Sequence, residues 1–167
     1  MLLPRSGYLT RPWRNGGGIS HEIAWAENED WRLGLAEIDH HGPFSDYTGF
    51  DRTLTVVQGE GLRLNEDALG RAPHSFRGEE PVMATVTAGP VLVLNAITRR
   101  GRFTHRVERR AARGTLAGAS YVTAIGREVT IGGERLAPLD TLRLGDAELS
   151  VQASEAAEIL AIWFFEA

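Results

Sequence analysis

The sequence contains no cysteine, and all 18 of its residues counted as lysine or arginine are arginine. Without cysteine the chain can form no disulfide and has no thiolate nucleophile, a composition that fits a reducing compartment. Without lysine it has neither a Schiff-base amine nor the lysine of a phosphate-binding P-loop. The cation that remains, the planar guanidinium, is suited to bidentate capture of carboxylates.

Long apolar segments are also absent. The longest apolar run, residues 159–165, is far shorter than the ~20 residues that span a bilayer. The N-terminal residues 1–5 do not lead into the apolar core of a signal peptide. The formal net charge of -4 provides no overall attraction to nucleic acid or to an anionic membrane. We therefore expect a cytoplasmic protein without a membrane or nucleic-acid partner.

Several catalytic signatures are missing as well. No Gly-x-Ser-x-Gly nucleophile elbow occurs, and neither Glu22 nor Asp51 has an identified partner for an acid–base pair. The run Gly16–Gly18 lacks the spacing of a P-loop. It predicts either a tight turn or a group of backbone N–H donors that bind an anion together with Asn15. We predict no catalytic residue.

The pattern that dominates the chain is one of short apolar or alternating segments separated by Gly, Pro, Asp and Asn, which is typical of β-strands and turns. Gly59-Glu60-Gly61 and Gly132-Gly133 suit hairpin turns that need positive φ angles. The pattern predicts an all-β sandwich or jelly-roll barrel. The predicted strands are 19–26, 31–38, 53–57, 62–64, 83–87, 91–97, 106–108, 121–124, 128–131, 141–143, 149–152 and 158–165.

A weak internal repeat accompanies this pattern. An offset of 67 residues places Gly59 on Gly126 and keeps several glycine and apolar positions in register. The polar positions are not repeated, because Arg52 falls on Ala119 and Asn95 falls on Ile162. We therefore predict two related halves, residues 1–116 and residues 117–167, with a ligand site in the first half only.

Five ordered motifs span roughly residues 9 to 101. They are Pro12–Ile23, Gly42–Arg52, Gly59–Gly61, Phe76–Gly78 and Asn95–Gly101. These motifs resemble the HutD/Ves family of small cupin-type bacterial proteins. That family is associated with histidine utilisation and, in one branch, with stress induction. The resemblance implies a cupin-like (RmlC-like jelly roll) fold, here as two cupin-like halves packed into a compact bicupin.

The likeness to cupins raises the question of a metal centre, because metal cupins usually present a closely spaced pair of histidines, a carboxylate and a third histidine. Only His40 and His41 are close in this sequence, and adjacent residues of a strand point to opposite faces. We therefore predict no metal and no other cofactor. His21 and His74 stay open as general bases, although neither has a supporting partner.

Arg52 is the main candidate for a ligand-binding residue. It follows Asp51 at the start of a predicted strand, so its guanidinium either pairs with Asp51 or points into the barrel to bind a carboxylate. The resemblance favours the second alternative. On the later strand, alternation places Asn95 and Arg99 on one face. The predicted ligand-binding residues are Arg52, Asn95, Asn15, Arg14, Arg99, Trp13 and Glu22.

Residues 99–113 include seven arginines with Phe103 among them. We interpret this segment as a solvated connector between the halves, because it contains Glu108, has no nucleic-acid-binding motif and belongs to an acidic chain. A regulatory module that binds a protein or DNA partner through this segment is the alternative.

The resemblance implies a non-enzymatic protein of histidine utilisation, monomeric or homodimeric. It would bind a small carboxylate such as N-formylglutamate or urocanate in a regulatory or protective role. Two other classes of function stay open. One is a cupin-type enzyme, an isomerase or hydrolase of a small organic acid, and the other is the regulatory interaction module.

Overall fold

The computed structural model describes residues 1–167, which form nineteen β-strands and one short 3-10 helix at Arg5–Gly7. This confirms the all-β prediction. No helix is both long and apolar enough to cross a membrane. The strands are β1 (Leu2–Leu3), β2 (Leu9–Pro12), β3 (Ile19–Trp25), β4 (Trp31–Ile38), β5 (Gly42–Pro43), β6 (Phe50–Gln58), β7 (Leu62–Leu64), β8 (Asp67–Ala68), β9 (His74–Arg77), β10 (Met83–Val86), β11 (Val91–Arg99), β12 (Phe103–Ala111), β13 (Gly114–Leu116), β14 (Tyr121–Ile125), β15 (Val129–Ile131), β16 (Glu134–Leu136), β17 (Thr141–Arg143), β18 (Leu149–Gln152) and β19 (Glu158–Glu166).

The chain divides into two compact units. The N-terminal unit comprises Leu9–Thr104 with Glu166–Ala167, and the C-terminal unit comprises Met1–Tyr8 with His105–Phe165. The division predicted at residue 117 assigned residues 1–8 and 105–116 to the first half, whereas the structure assigns them to the C-terminal unit. Strand pairing explains the difference, because β1 pairs with β17 and β13 pairs with β18. The first eight residues are thereby joined to the C-terminal unit.

The N-terminal unit contains two antiparallel sheets. One has the strand order β2-β3-β4-β11-β6-β9 and the other has the order β5-β10-β7-β8. The turn between β6 and β7 uses Gly59 and Gly61 at φ 83° and 81°, and a Cβ at Gly59 would lie 2.6 Å from the carbonyl oxygen of Pro90. Glycine is therefore required at this turn. Its buried apolar core is Ala36, Ile38, Leu54, Val56, Leu62, Leu64, Val82, Ala84, Val91 and Val93.

The C-terminal unit repeats this architecture with its own apolar core. Its sheets have the orders β1-β17-β14-β19-β12 and β13-β18-β15-β16. The offset of 67 residues carries β7 onto β15 and β11 onto β19 with the same bounds. It also preserves register, because Leu54 opposite Asn95 becomes Tyr121 opposite Ile162. The repeat therefore correctly predicted two related halves.

The arginine-rich segment connects the two units, since the division between them falls at Thr104 and His105, and most of its arginines are exposed. It is nevertheless a regular strand, because most of it forms β12, an edge strand of the five-stranded sheet. Arg109 Nε donates to Glu158 Oε2 at 2.5 Å, and the Arg106 guanidinium lies 4.0 Å from the centre of the Trp163 ring. The methylene stems and ion pairs of these arginines therefore belong to the packing of the C-terminal unit.

Candidate functional site

A cavity of about 260 Å³ opens within the N-terminal unit. Its walls come from the buried faces of neighbouring strands, on which every second residue shares a side. On two strands that face changes from an apolar residue of the core to a polar residue that lines the cavity. The changes run from Leu54 to Arg52 on β6 and from Val93 to Asn95 on β11.

Strand register brings the lining residues together in two rows. In one row Glu22 stands opposite Gly34, and Gly34 stands opposite Asn95. In the next row Arg52 lies between Ile97 on β11 and Phe76 on β9. Paired strands are about 4.8 Å apart, so side chains from four strands converge on one small volume.

Arg52 is the most unusual residue of the cavity. Only 7% of it is exposed, and no carboxylate pairs with it. Its hydrogen bonds are long, from Nη1 to the Ser45 carbonyl oxygen at 3.5 Å and from Nη2 to Asn95 Oδ1 at 3.4 Å, and its buried Nε has no acceptor. Burial lowers the pKa of Arg52 to about 10, so its guanidinium stays charged at neutral pH.

Three aromatic rings surround this guanidinium. Its central carbon lies 5.2 Å from the ring centre of Phe44 and 5.0 Å from those of Tyr47 and Phe76. Cation–π attraction is worth up to about 2 kcal/mol when the cation is desolvated. The three rings therefore stabilise the positive charge of Arg52 in the cavity without neutralising it. We call Phe44, Tyr47 and Phe76 the aromatic cage.

Asp51 does not hold Arg52 in place, so that alternative is wrong. The Asp51 carboxylate accepts hydrogen bonds from Arg100 Nη2 at 2.7 Å and from Arg100 Nε at 3.1 Å. Arg100 also pairs with Glu79. Because successive residues of β6 point to opposite faces, Asp51 lies outside the barrel wall while Arg52 lies inside it.

Glu22 and Arg32 form a second polar group of the cavity. Glu22 is 9% exposed, and its Oε1 accepts a hydrogen bond from Arg32 Nη2 at 3.3 Å. Burial raises the pKa of Glu22, and the positive charge of Arg32 partly offsets that effect. Arg32 Nη1 in turn donates to the Tyr47 hydroxyl at 3.4 Å. This links Glu22 to the aromatic cage.

Sequence reasoning missed Arg32, Phe44 and Tyr47. A signal for Arg32 was present, because it continues the alternation of Gly34, Ala36 and Ile38 on the buried face of β4. A charged residue in phase with a buried apolar face indicates either an ion pair or a ligand site. Phe44 and Tyr47 lie outside regular strands, where periodicity carries no signal.

Trp13 and Arg14 line the cavity, as does Glu22. Trp13 packs edge-on against Phe44 with ring centres 6.1 Å apart. The exposed Arg14 places its guanidinium 5.4 Å from the ring centre of Tyr47. Five of the seven predicted residues, including Arg52 and Asn95, therefore share one cavity.

Asn15 and Arg99 are not brought into this cavity. Asn15 Nδ2 donates to the Pro43 carbonyl oxygen at 3.0 Å, and its Oδ1 accepts from the Gly17 amide at 2.9 Å. Both polar atoms of the Asn15 side chain are thus already hydrogen-bonded to the protein backbone. Arg99 Nε donates to Asp30 Oδ1 at 2.6 Å, which turns it away at the end of β11.

His21 and His74, the two candidate general bases, lie in separate surroundings. His21 Nδ1 is 3.2 Å from Thr10 Oγ1, and the ring of His74 packs against Phe76. No three His, Cys, Asp or Glu side chains are grouped so that they could hold a metal ion. Independence from metal stays a prediction for this protein.

Comparison with known proteins identifies the family. The HutD family model matches residues 5–161. An uncharacterized 21.2 kDa protein in the hutC 3' region of Pseudomonas putida is 34% identical over 172 residues, with 89% of this chain and 88% of that protein covered. The chain belongs to the HutD family. Protein Ves of Citrobacter koseri is 35% identical to it over 101 residues, which are 54% of this chain and 53% of that protein.

Solved structures agree with this membership. HutD from Pseudomonas fluorescens SBW25, in a structure described as a formate condition, has a TM-score of 0.80 and 28% identity to this HutD-family chain, covering 99% of it and 98% of that chain. A cupin 2 conserved barrel domain protein from Leptotrichia buccalis has a TM-score of 0.57 at 10% identity, covering 93% and 91% of the two chains. The second match shows the cupin fold alone.

Proposed function

We propose that this HutD-family protein is a non-enzymatic binding protein for a small carboxylate, with Arg52 as the principal residue that binds it. One observation carries the proposal. A charged guanidinium lies buried in a cavity, its Nε has no acceptor, and its two other hydrogen bonds are at the long limit. A carboxylate can accept two parallel hydrogen bonds from such a group.

The physical argument concerns the ligand-free state. A buried charge without a partner destabilises a fold by several kcal/mol, because its hydration is lost without compensation. The aromatic cage and the Asn95 amide offset only part of this loss. A ligand carboxylate would supply both the missing charge and the missing acceptors. Function explains why a protein retains a group that stability alone disfavours.

The size of the cavity limits the ligand. A cavity of about 260 Å³ is slightly smaller than the ~300–1,000 Å³ typical of small-molecule sites. We propose a cytoplasmic protein that binds N-formylglutamate or urocanate in a regulatory or protective role within histidine utilisation. The family resemblance and the hutC 3' region named for the Pseudomonas putida relative support this ligand class.

Ligand binding is expected to stabilise the protein without chemical turnover. A ligand at 100 times its dissociation constant adds about 2.7 kcal/mol to the free energy of unfolding when it binds only the native state. N-formylglutamate, urocanate and acetate would be titrated by calorimetry and thermal denaturation, and each mixture would then be followed by NMR.

Conversion of either metabolite in the NMR samples, at a rate that depends on protein concentration, would instead establish an enzyme. Absence of binding by all three carboxylates would contradict the proposal. Arg143→Ala is the control variant, because Arg143 is exposed on β17 of the C-terminal unit and does not line the cavity. Its affinities should equal those of the wild type.

A further inference from the structure

Two polar groups of opposite kind face the cavity without a partner in the protein. Arg52 Nε is a buried donor without an acceptor. Glu22 uses Oε1 to accept from Arg32, whereas Oε2 accepts from no donor of the protein and stays accessible from the cavity. Most buried polar groups are hydrogen-bonded, so the unsatisfied Nε of Arg52 needs an explanation. A ligand that placed an acceptor at Arg52 and a donor at Glu22 would satisfy both.

Gly34 provides the space between these two groups. It stands between Glu22 on β3 and Asn95 on β11 in the strand register, and Asn95 contacts Arg52. A Cβ at Gly34 would lie 3.4 Å from Glu22 Oε2 and 3.1 Å from the His21 carbonyl oxygen. The absence of a side chain therefore leaves the cavity floor open beside the Glu22 carboxylate.

We propose that Glu22 determines specificity: it selects ligands that carry an N–H donor opposite their carboxylate, and it rejects ligands that carry a second carboxylate there. This inference rests on the proposed function, since it assumes that Arg52 holds the first carboxylate. Discrimination of this kind arises when the wrong ligand leaves a buried polar group unpaired or brings like charges together.

The charges that face Glu22 determine how this selectivity depends on pH. Arg32 on β4 and Arg11 on β2 favour the ionised carboxylate, whereas Glu29 in the turn after β3 disfavours it, and Arg52 faces the same cavity from β6. Burial is the largest influence, and it raises the pKa of Glu22. As the pH increases through that pKa, Glu22 becomes an anion that accepts from N–H donors and repels carboxylates. Selectivity for the N–H ligand should therefore increase with pH.

Two matched pairs of probes test the inference. Succinamate and succinate differ only in a terminal amide or carboxylate, and glutaramate and glutarate repeat the comparison with one more methylene, so that two spans across the cavity are sampled. Acetate reports the Arg52 contact alone. Dissociation constants of the intact protein would be measured by calorimetry between about pH 5 and about pH 8, a range that begins above the ordinary pKa of a glutamate carboxyl.

We expect the amide probe of at least one pair to bind about tenfold more tightly than its dicarboxylate at the upper pH, from one charge-assisted hydrogen bond. The preference should decrease as the pH is lowered. Glu22→Gln should abolish or reverse it without weakening acetate binding. Glu37→Gln is the control, because Glu37 is an exposed glutamate of β4 that does not line the cavity, and it should retain the preference.

If wild-type protein binds the dicarboxylates as tightly as the amides at the upper pH, the inference about Glu22 is wrong, whatever the variants do. Equal selectivity in wild type and folded Glu22→Gln would overturn it as well. The proposed function fails in a different way, through acetate affinity that is absent or is unaffected by Arg52→Ala.

Discussion

Replacing Arg52 with methionine is expected to make the ligand-free protein more stable and to remove carboxylate binding. Methionine fills similar volume without a charge, and exchange of buried ionic groups for apolar ones stabilises proteins by about 1–4 kcal/mol. Burial also lowers the pKa of Arg52, which shows in the same direction that the folded state disfavours its charge. Loss of the charge-assisted contact should weaken carboxylate affinity about ten- to hundredfold.

Urea denaturation and calorimetry with acetate and N-formylglutamate would measure the two effects on the same samples. Arg143→Met, at an exposed arginine, is the control and should change neither quantity appreciably. Arg52→Lys keeps the charge but lacks the bidentate fork, so it should bind more weakly than wild type without the gain in stability. A less stable Arg52→Met protein that still binds carboxylates would show that Arg52 is a structural residue.

The second large effect is expected at Gly78. A Cβ at this position would lie 2.2 Å from the Tyr47 carbonyl oxygen and 2.7 Å from Tyr47 Cβ. The Tyr47 amide donates to the Gly78 carbonyl oxygen at 3.0 Å, and the Gly78 amide donates to the Phe50 carbonyl oxygen at 2.7 Å. Gly78→Ala should therefore displace Tyr47, destabilise the protein by about 1–3 kcal/mol, and weaken carboxylate binding through a disturbed aromatic cage.

The internal repeat offers a matched control for this variant. Gly145 is the residue that the 67-residue offset aligns with Gly78, and a Cβ there would meet nothing within 4 Å. Gly145→Ala should leave both stability and affinity close to wild type. If both alanine variants behave alike in thermal denaturation and calorimetry, the close approach of Gly78 to Tyr47 does not shape the site.

Much of the fold could be predicted because its central strands combine buried alternation with clear turns. Predicted strands 31–38, 62–64, 141–143 and 149–152 have the observed bounds. Short strands such as Gly42–Pro43 and His74–Arg77 were missed. They carry little apolar alternation of their own and are extended because they pair with β10 and β6. Pairing partners distant in sequence cannot be identified from one local pattern.

The site was predictable where the repeat showed a contrast. Arg52 and Asn95 stood out because the second half has Ala119 and Ile162 at the aligned positions, and both residues face the cavity. Arg99 was assigned by strand alternation alone. Its partner Asp30 lies 69 residues away in sequence, so the ion pair that removes Arg99 from the cavity had no local signal.

A crystal structure of the protein with N-formylglutamate tests the central claim most directly. The account predicts a ligand carboxylate in the cavity beside Gly34, with its oxygen atoms about 2.7–2.9 Å from Arg52 Nε and one of its Nη atoms. The long contacts of Arg52 to Ser45 and Asn95 would then be replaced or shortened. Ligand bound elsewhere on the chain, with Arg52 Nε still lacking an acceptor at saturating concentration, would contradict the account.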